Sequence, residues 1–343
     1  LFILFMGKKQ DIKVILPFVS ICTPTFNRRP FIPAMLKCFD HQTYPKDKME
    51  WIIVDDGTDP IEDLVSNHPK IKYYKYDTKM SLGEKRNLMH TKTKGSIIVY
   101  MDDDDYYPPE RVSHAVHRLQ HAPTALCAGS SEMYIYFKDM DKMYQFGPYG
   151  EQHATAATFA FRRELLQETS YDNNVAVGEE KHFLKNYTIP FVQLDPLKTI
   201  LVFSHNHNSF DKRILLEKPN NFIKESSKKV NDFVKEDYAY NFFVTEIDNL
   251  LKKYEPGDPK HKPDVLNHIN LTTKMKSQME DHLSNAKKQM EKQMQENIMK
   301  VRNQYEKRLS QLTMENIKLT DKNKYLESKI KEIICEKIKQ KSS

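Results

Sequence analysis

The chain has four cysteines, Cys22, Cys38, Cys127 and Cys335, and no Cys-x-x-Cys pair among its 343 residues. That spacing speaks against a disulfide framework and against a cysteine-held zinc site, so a reducing compartment, and with it the cytoplasm, is the expectation. No apolar run approaches the 18 residues that a membrane span requires, and a soluble protein without a transmembrane segment is expected. The opening LFILF is apolar for only five residues. It is too short for a span or a signal-peptide core, Met6 can serve as the start, and residues 1–6 are set aside from the fold. The net charge of +6 is not spread along the chain: residues 264–343 hold 17 Lys+Arg against 11 Asp+Glu, and the remainder holds 36 of each. A uniformly basic nucleic-acid-binding domain is therefore not expected.

What the chain does have is SIIVYMDDDDYYPPER at 96–111, an apolar run followed by four consecutive carboxylates. Such a run predicts a central parallel strand whose carboxyl end opens into a crevice, the place where open α/β sheets bind ligands. Four carboxylates within about 12 Å of chain repel one another. A divalent cation, a basic group or a set of donors is needed to hold some of them ionised, and a cation is the simplest answer. For Asp105 alone, a solvated turn capping a helix that starts near Pro108 is an equal alternative.

With 39% hydrophobic residues and this length, about two domains are expected. Residues 18–23, 51–54, 71–76 and 97–101 read as strands, and 31–39 and 82–90 as helices. Alternation of this kind predicts βαβ units and a doubly wound, mostly parallel sheet with its site at the strand ends. Three ends carry polar groups. Thr23, Thr25 and Asn27 follow the first strand and suit a nucleoside, or form an ordinary proline turn. Asp55 and Asp56 follow the second and offer acceptors to a base or ribose, or form an Asp-Gly turn. Lys85 and Arg86 stand near the start of a helix, where cations can clamp a diphosphate, or else belong to a solvated helical face.

TPTFN at 23–27, VDDGT at 54–58, LGEKRN at 82–87 and YMDDDDYYPPER at 100–111 together resemble the inverting GT-A glycosyltransferases of family 2, which transfer sugar from a nucleotide-diphosphate donor. The resemblance covers roughly residues 17–210. It implies that Thr23, Thr25 and Asn27 lie by the nucleoside, that Asp55 or Asp56 accepts from the base, and that Arg86 reaches the diphosphate. Asp102 and Asp103 would face the ribose or sugar, and Asp104 would bind Mn²⁺ or Mg²⁺, with the assignment among the three open to a shift of one. The family's acidic pair corresponds to Glu179 and Glu180. Its second member, Glu180, is the implied base, with Glu in place of the usual Asp. After the apolar residues 199–203, His205 and His207 are candidate additional metal ligands or exposed loop histidines.

Residues 133–146 carry alternating aromatics and read as a hairpin or flap, with Tyr134, Tyr136 and Tyr144 on the acceptor side or in the core. Residues 220–253 read as helices and 255–263 as a linker. From 264 onward there is no Gly or Pro, and Ile298, Tyr305, Leu312, Leu319, Leu326 and Ile333 recur every seven residues. That period predicts a left-handed coiled coil and a homo-oligomer, or else a solitary helix. The expected domains are an N-terminal segment (1–16), a GT-A domain (17–215), a helical extension and linker (216–263) and a long helix (264–343).

The expected function is metal-dependent sugar transfer with inversion. A UDP-sugar is the favoured donor and the acceptor is open. The alternatives are a metal-dependent nucleotidyltransferase, against which the missing Gly-rich phosphate loop weighs, and a coiled-coil scaffold with an inert head.

Overall fold

The computed structural model describes residues 16–173, 178–208, 210–217 and 220–341, with side chains as far as 338. Residues 1–15, which carry most of the N-terminal expectation, lie outside it, as do Val177 and Ser209. Contacts divide the chain into two units, Leu1–Asn270 and Leu271–Ser343.

The first unit opens with β1 (Val19–Thr25), α1 (Ile32–Asp40), β2 (Met49–Asp55), α2 (Glu62–Val65), β3 (Ile71–Lys75), α3 (Leu82–Lys92) and β4 (Ile97–Tyr100). It continues through α4 (Arg111–His121), β5 (Cys127–Gly129), β6 (Met133–Phe137), β7 (Lys142–Phe146), β8 (Ala160–Arg162), α5 (Glu180–Phe183), β9 (Phe191–Gln193), β10 (Val202–Ser204) and β11 (Ile223–Glu225). Three short helices follow, α6 (Val230–Phe233), α7 (Asp237–Asn241) and α8 (Ile247–Leu251), and then α9 (Pro263–Lys341).

Seven strands form one sheet in the order β3-β2-β1-β4-β8-β5-β9. β3, β2, β1 and β4 are mutually parallel, whereas β8 lies antiparallel between β4 and β5. The apolar runs read as strands because successive residues feed two cores. Val19, Ile21, Trp51, Ile53 and Val99 pack into one, and Cys22, Ile52, Val54, Ile98 and Tyr100 into the other. A strand buried on both faces needs no polar alternation.

The hairpin expected over 133–146 is β6 and β7, which join β10 and β11 in a second sheet of four strands. Tyr134 and Tyr136 are buried in its core cluster and Tyr144 packs against it. Two expectations shift. The strand placed at 199–203 begins at Val202, because Asp195 caps a turn over Pro196–Lys198 and its side chain accepts from Leu197 N at 3.0 Å. The helical reading from 220 gives way at Ile223–Glu225, where pairing with Phe146, Gln145 and Tyr144 on the edge of β7 outweighs local helix propensity.

Arg111, the basic residue after the acidic run, is fully buried. Its Nη2 donates to the carbonyls of Tyr100, Thr158 and Phe159 at 3.2, 2.9 and 2.8 Å. It ties the exit of β4 to the segment entering β8 and so fixes where the acidic run leaves the sheet.

The segment read as a linker is folded onto the first unit. Tyr254 Oη donates to Asp59 Oδ2 at 2.8 Å, and Asn27 Nδ2 donates to the Pro256 carbonyl at 2.8 Å. The second unit is the continuing helix, and along it the seven-residue stripe is exposed: Leu312 41%, Leu319 57% and Leu326 45%. Among the described residues, no helix is long and apolar enough to cross a membrane.

Candidate active site

The carboxyl ends of β1 and β4 open into a cavity of about 470 Å³. β4 ends at Tyr100, and the next residues, Asp102, Asp103 and Asp104, form one wall. Their charge is met by the protein's own cations. Arg28 Nη2 lies 3.3 Å from Asp104 and Arg28 Nε 3.6 Å from Asp103, while Arg86 Nη2 lies 3.9 Å from Asp102. Lys85 and Arg86 project from α3, whose cap is Ser81 accepting from Glu84 N at 3.1 Å.

The four neighbouring acids are held in different states. Burial pushes the Asp102 carboxyl up to about 6 against the pull of Arg86. Burial and the adjacent Asp104 push Asp103 up to about 7 and Asp105 well above the usual carboxylate range. Burial would raise Asp104 too, but Arg28 and His205 hold it well below that range. Like charges this close do not all ionise together, and the one with the best counter-charges keeps its proton off.

The same cavity is lined by Glu179 and Glu180, at the start of α5 behind Gly178, whose φ of +75° is left-handed. Glu179 is buried in an ion pair with Arg86 Nη1. Arg86 also lies over the rings of Tyr100 and Tyr171, at 4.8 and 5.4 Å from their centroids. Glu180 is half-buried, and burial and then Glu179 raise its carboxyl. The two acids are thus distinct: Glu179 is committed to a cation, and Glu180 is a half-buried acid with a raised carboxyl.

A divalent cation, which the resemblance implies, fits this donor set. Asp104 Oδ2 and His205 Nε2 are 3.3 Å apart, near the ~3 Å between adjacent ligands of a six-coordinate ion with bonds of about 2.0–2.1 Å. Asp102 Oδ1 is buried without a hydrogen bond. Carboxylate oxygen suits Mn²⁺ or Mg²⁺, which commonly take one or two protein carboxylates and complete their shell with phosphate and water, and imidazole nitrogen is a softer donor that suits the transition metal better than Mg²⁺. Among the described residues, no three acidic, histidine or cysteine side chains converge as a preassembled cluster. His205 is buried beside Asp104 rather than exposed, whereas His207 lines a different cavity and stacks on Tyr254 at 6.4 Å.

The remaining candidates divide by what holds them. Thr25 lines the cavity. Thr23 does not: its hydroxyl donates to the Met101 carbonyl at 2.6 Å and accepts from the Trp51 indole at 2.8 Å, tying three strands together. Asn27, at φ +53°, is a junction, accepting from Asp59 N at 3.0 Å and donating to Thr58 and Pro256. Asp55 is spent on Gly57 N, Ile61 N and Tyr73 Oη at 2.9, 3.2 and 2.7 Å. Asp56 pairs with Lys85 and accepts from Met80 N at 2.7 Å. Arg28, Lys212 and Lys262, which also line the cavity, were not among the residues singled out in the sequence. Arg28 directly follows the matched TPTFN, but nothing local marks the other two.

An α/β domain with a mostly parallel sheet, one antiparallel insertion and an acidic run at the carboxyl edge is the architecture of the GT-A fold. Residues 20–170 match the family described as glycosyl transferase family 2. It is 29% identical over 101 residues to the poly(ribitol-phosphate) beta-N-acetylglucosaminyltransferase TarS of Staphylococcus aureus, covering 28% of this chain and 18% of TarS. It is 23% identical over 190 residues to the glycosyltransferase AglE of Haloferax volcanii, covering 50% of this chain and 62% of AglE. Each match thus spans less than two thirds of the relative's length. Among solved structures, the mannosyltransferase PcManGT of Pyrobaculum calidifontis, in complex with GDP-Man and Mn²⁺, superposes with a TM-score of 0.46 at 15% identity, over 76% of each chain.

Proposed function

We propose that the chain is a metal-dependent, inverting glycosyltransferase that moves a sugar from a nucleoside-diphosphate donor to an acceptor hydroxyl. UDP is the expected nucleotide because it is common among similar enzymes. The observation that carries this reading is that Glu179 and Glu180, far downstream in sequence, line the same cavity as Asp102, Asp103 and Asp104. Direct displacement needs two things on opposite sides of the sugar: stabilised leaving-group charge and a carboxylate to take the acceptor proton. Asp104 and His205 would hold Mn²⁺ or Mg²⁺, with Asp102 nearby. Such an ion, when bound, neutralises the charge that grows on the departing diphosphate. Glu180 takes the proton from the acceptor hydroxyl, and Arg86 holds Glu179 and Asp102 apart from it by pairing with both.

The test is calorimetric titration of UDP and GDP, with and without Mn²⁺, into the parent and Asp104→Asn. Mn²⁺-dependent nucleotide binding is expected in the parent and not in the variant, with the variant still folded at the titration temperature. A parent that binds no nucleoside diphosphate under any metal condition would remove the donor reading.

The helix beyond 270 is proposed to pair with a second copy. Each leucine of the exposed stripe gains about 1.5–3 kcal/mol on burial, enough over several heptads to hold a parallel dimer. Light scattering should report a dimer for the whole chain and a monomer for a chain ending at residue 270. A monomeric whole chain at micromolar concentration rules out self-association.

A further inference from the structure

We infer that Lys262 is a contact for the donor's diphosphate, delivered by the segment at 255–263, well beyond the family-matched residues. The inference rests on the donor-binding reading above and names a residue that this reading does not use.

Lys262 lies just before α9, is 8% exposed and lines the cavity. Its ammonium sits 5.7 Å from the centroid of the Phe26 ring, where Lys79 at 5.3 Å and Lys85 at 5.9 Å also converge. Phe26 follows β1, at the strand end that faces the ligand crevice. Three ammonium groups gather on one ring, where Lys79 and Lys85 are already paired with Asp264 and Asp56; Lys262, with Lys212 and Arg28 lining the same cavity, adds donors that a multiply charged anion can use. A lysine ammonium serves such a ligand with three donors on an adaptable stem. A sugar hydroxyl or a neutral base has no need of them.

The placement of Lys262 is built rather than incidental. The chain is pinned on one side of it by the Tyr254–Asp59 and Asn27–Pro256 hydrogen bonds, and on the other by Asp264, whose Oδ2 lies 2.6 Å from Lys79 Nζ. Between them Gly257 is pressed against the first unit's loops: a Cβ there would come within 2.6 Å of His207 Nδ1 and 3.0 Å of the Asn27 carbonyl. Only glycine lets the backbone approach so closely. A segment that reads as a linker thus carries a cation into the donor cavity.

The experiment uses the full chain and calorimetry with UDP or GDP, whichever the parent binds, beside the matching nucleoside. Lys262→Met and Lys262→Gln are each expected to weaken diphosphate binding roughly 10- to 100-fold, the loss of one hydrogen bond to a charged group. Nucleoside affinity should stay unchanged, and Lys262→Arg should keep diphosphate affinity within a few-fold of the parent. Lys260→Met, two residues away on an exposed side chain that pairs with Glu255, should bind like the parent. Thermal unfolding of each variant separates lost contact from lost fold. The inference is overturned if both neutral variants bind the diphosphate within twofold of the parent, or if diphosphate and nucleoside affinity fall together. A parent that binds neither nucleotide overturns the donor reading instead, and this inference with it.

Discussion

Glu180→Gln is expected to lower turnover by roughly 10²–10⁴-fold, the usual contribution of a positioned general base, while leaving donor affinity close to the parent's. The geometry separates Glu180 from its neighbour. Glu179 is buried against the Arg86 guanidinium, which takes up its carboxylate. Glu180 faces the same cavity half-buried, with its carboxyl raised by burial and by Glu179. A base must be ionised to act. The rate should therefore fall as pH drops through the raised value, placing the acid limb of kcat/KM above the ordinary glutamate value of about 4.3. That limb should be missing from the residual activity of Glu180→Gln. If Glu179→Gln abolishes turnover and Glu180→Gln does not, the base is the first acid of the pair.

The second large effect is on stability. Arg86→Met should unfold at a temperature roughly 10 °C below the parent, because it strips the counter-charge from Glu179 and the nearest cation from Asp102. Breaking a buried ion pair from one side costs about 3–5 kcal/mol, and in a domain of this size each kcal/mol is worth about 2–4 °C. The cost arises from the stranded acid rather than from the lost contact. An added Glu179→Leu should therefore recover much of the loss, a coupling that a double-mutant cycle measures. A single variant melting within about 2 °C of the parent would mean that water already satisfies Glu179.

The first half of the sheet is legible in the sequence for a simple reason. Strands buried on both faces spell continuous apolar runs, and the acids at their ends mark the carboxyl edge. The individual roles are less legible, because a polar residue at a strand end can face the ligand or tie the loops. Thr25 faces the cavity while Thr23, two residues earlier, spends its hydroxyl on Met101 and Trp51. Asn27 is a junction because the Pro256 carbonyl, more than two hundred residues later, lies against its amide, and no local pattern announces such a contact. The same distance hides Lys262, whose Pro-flanked polar surroundings are indistinguishable in sequence from a spacer. β8 was illegible in a different way: three residues give no period, and its direction is set by its partners β4 and β5.

One feature of the cavity bears on how any ligand can enter it. Its wall carries six cations, Arg28, Lys79, Lys85, Arg86, Lys212 and Lys262, and six carboxylates, Asp102, Asp103, Asp104, Glu179, Glu180 and Asp264. With all twelve ionised the enclosure is electrically balanced before anything binds. A bare dianion would upset that balance, and so would a bare divalent ion; each alone would have to recruit or expel a proton, for which Asp103 and Lys262, both near 7, are the readiest groups. Together they bring no net charge. Affinity for either should therefore rise when the other is present, by the same factor in both directions, and the paired titrations with and without Mn²⁺ read that reciprocity directly.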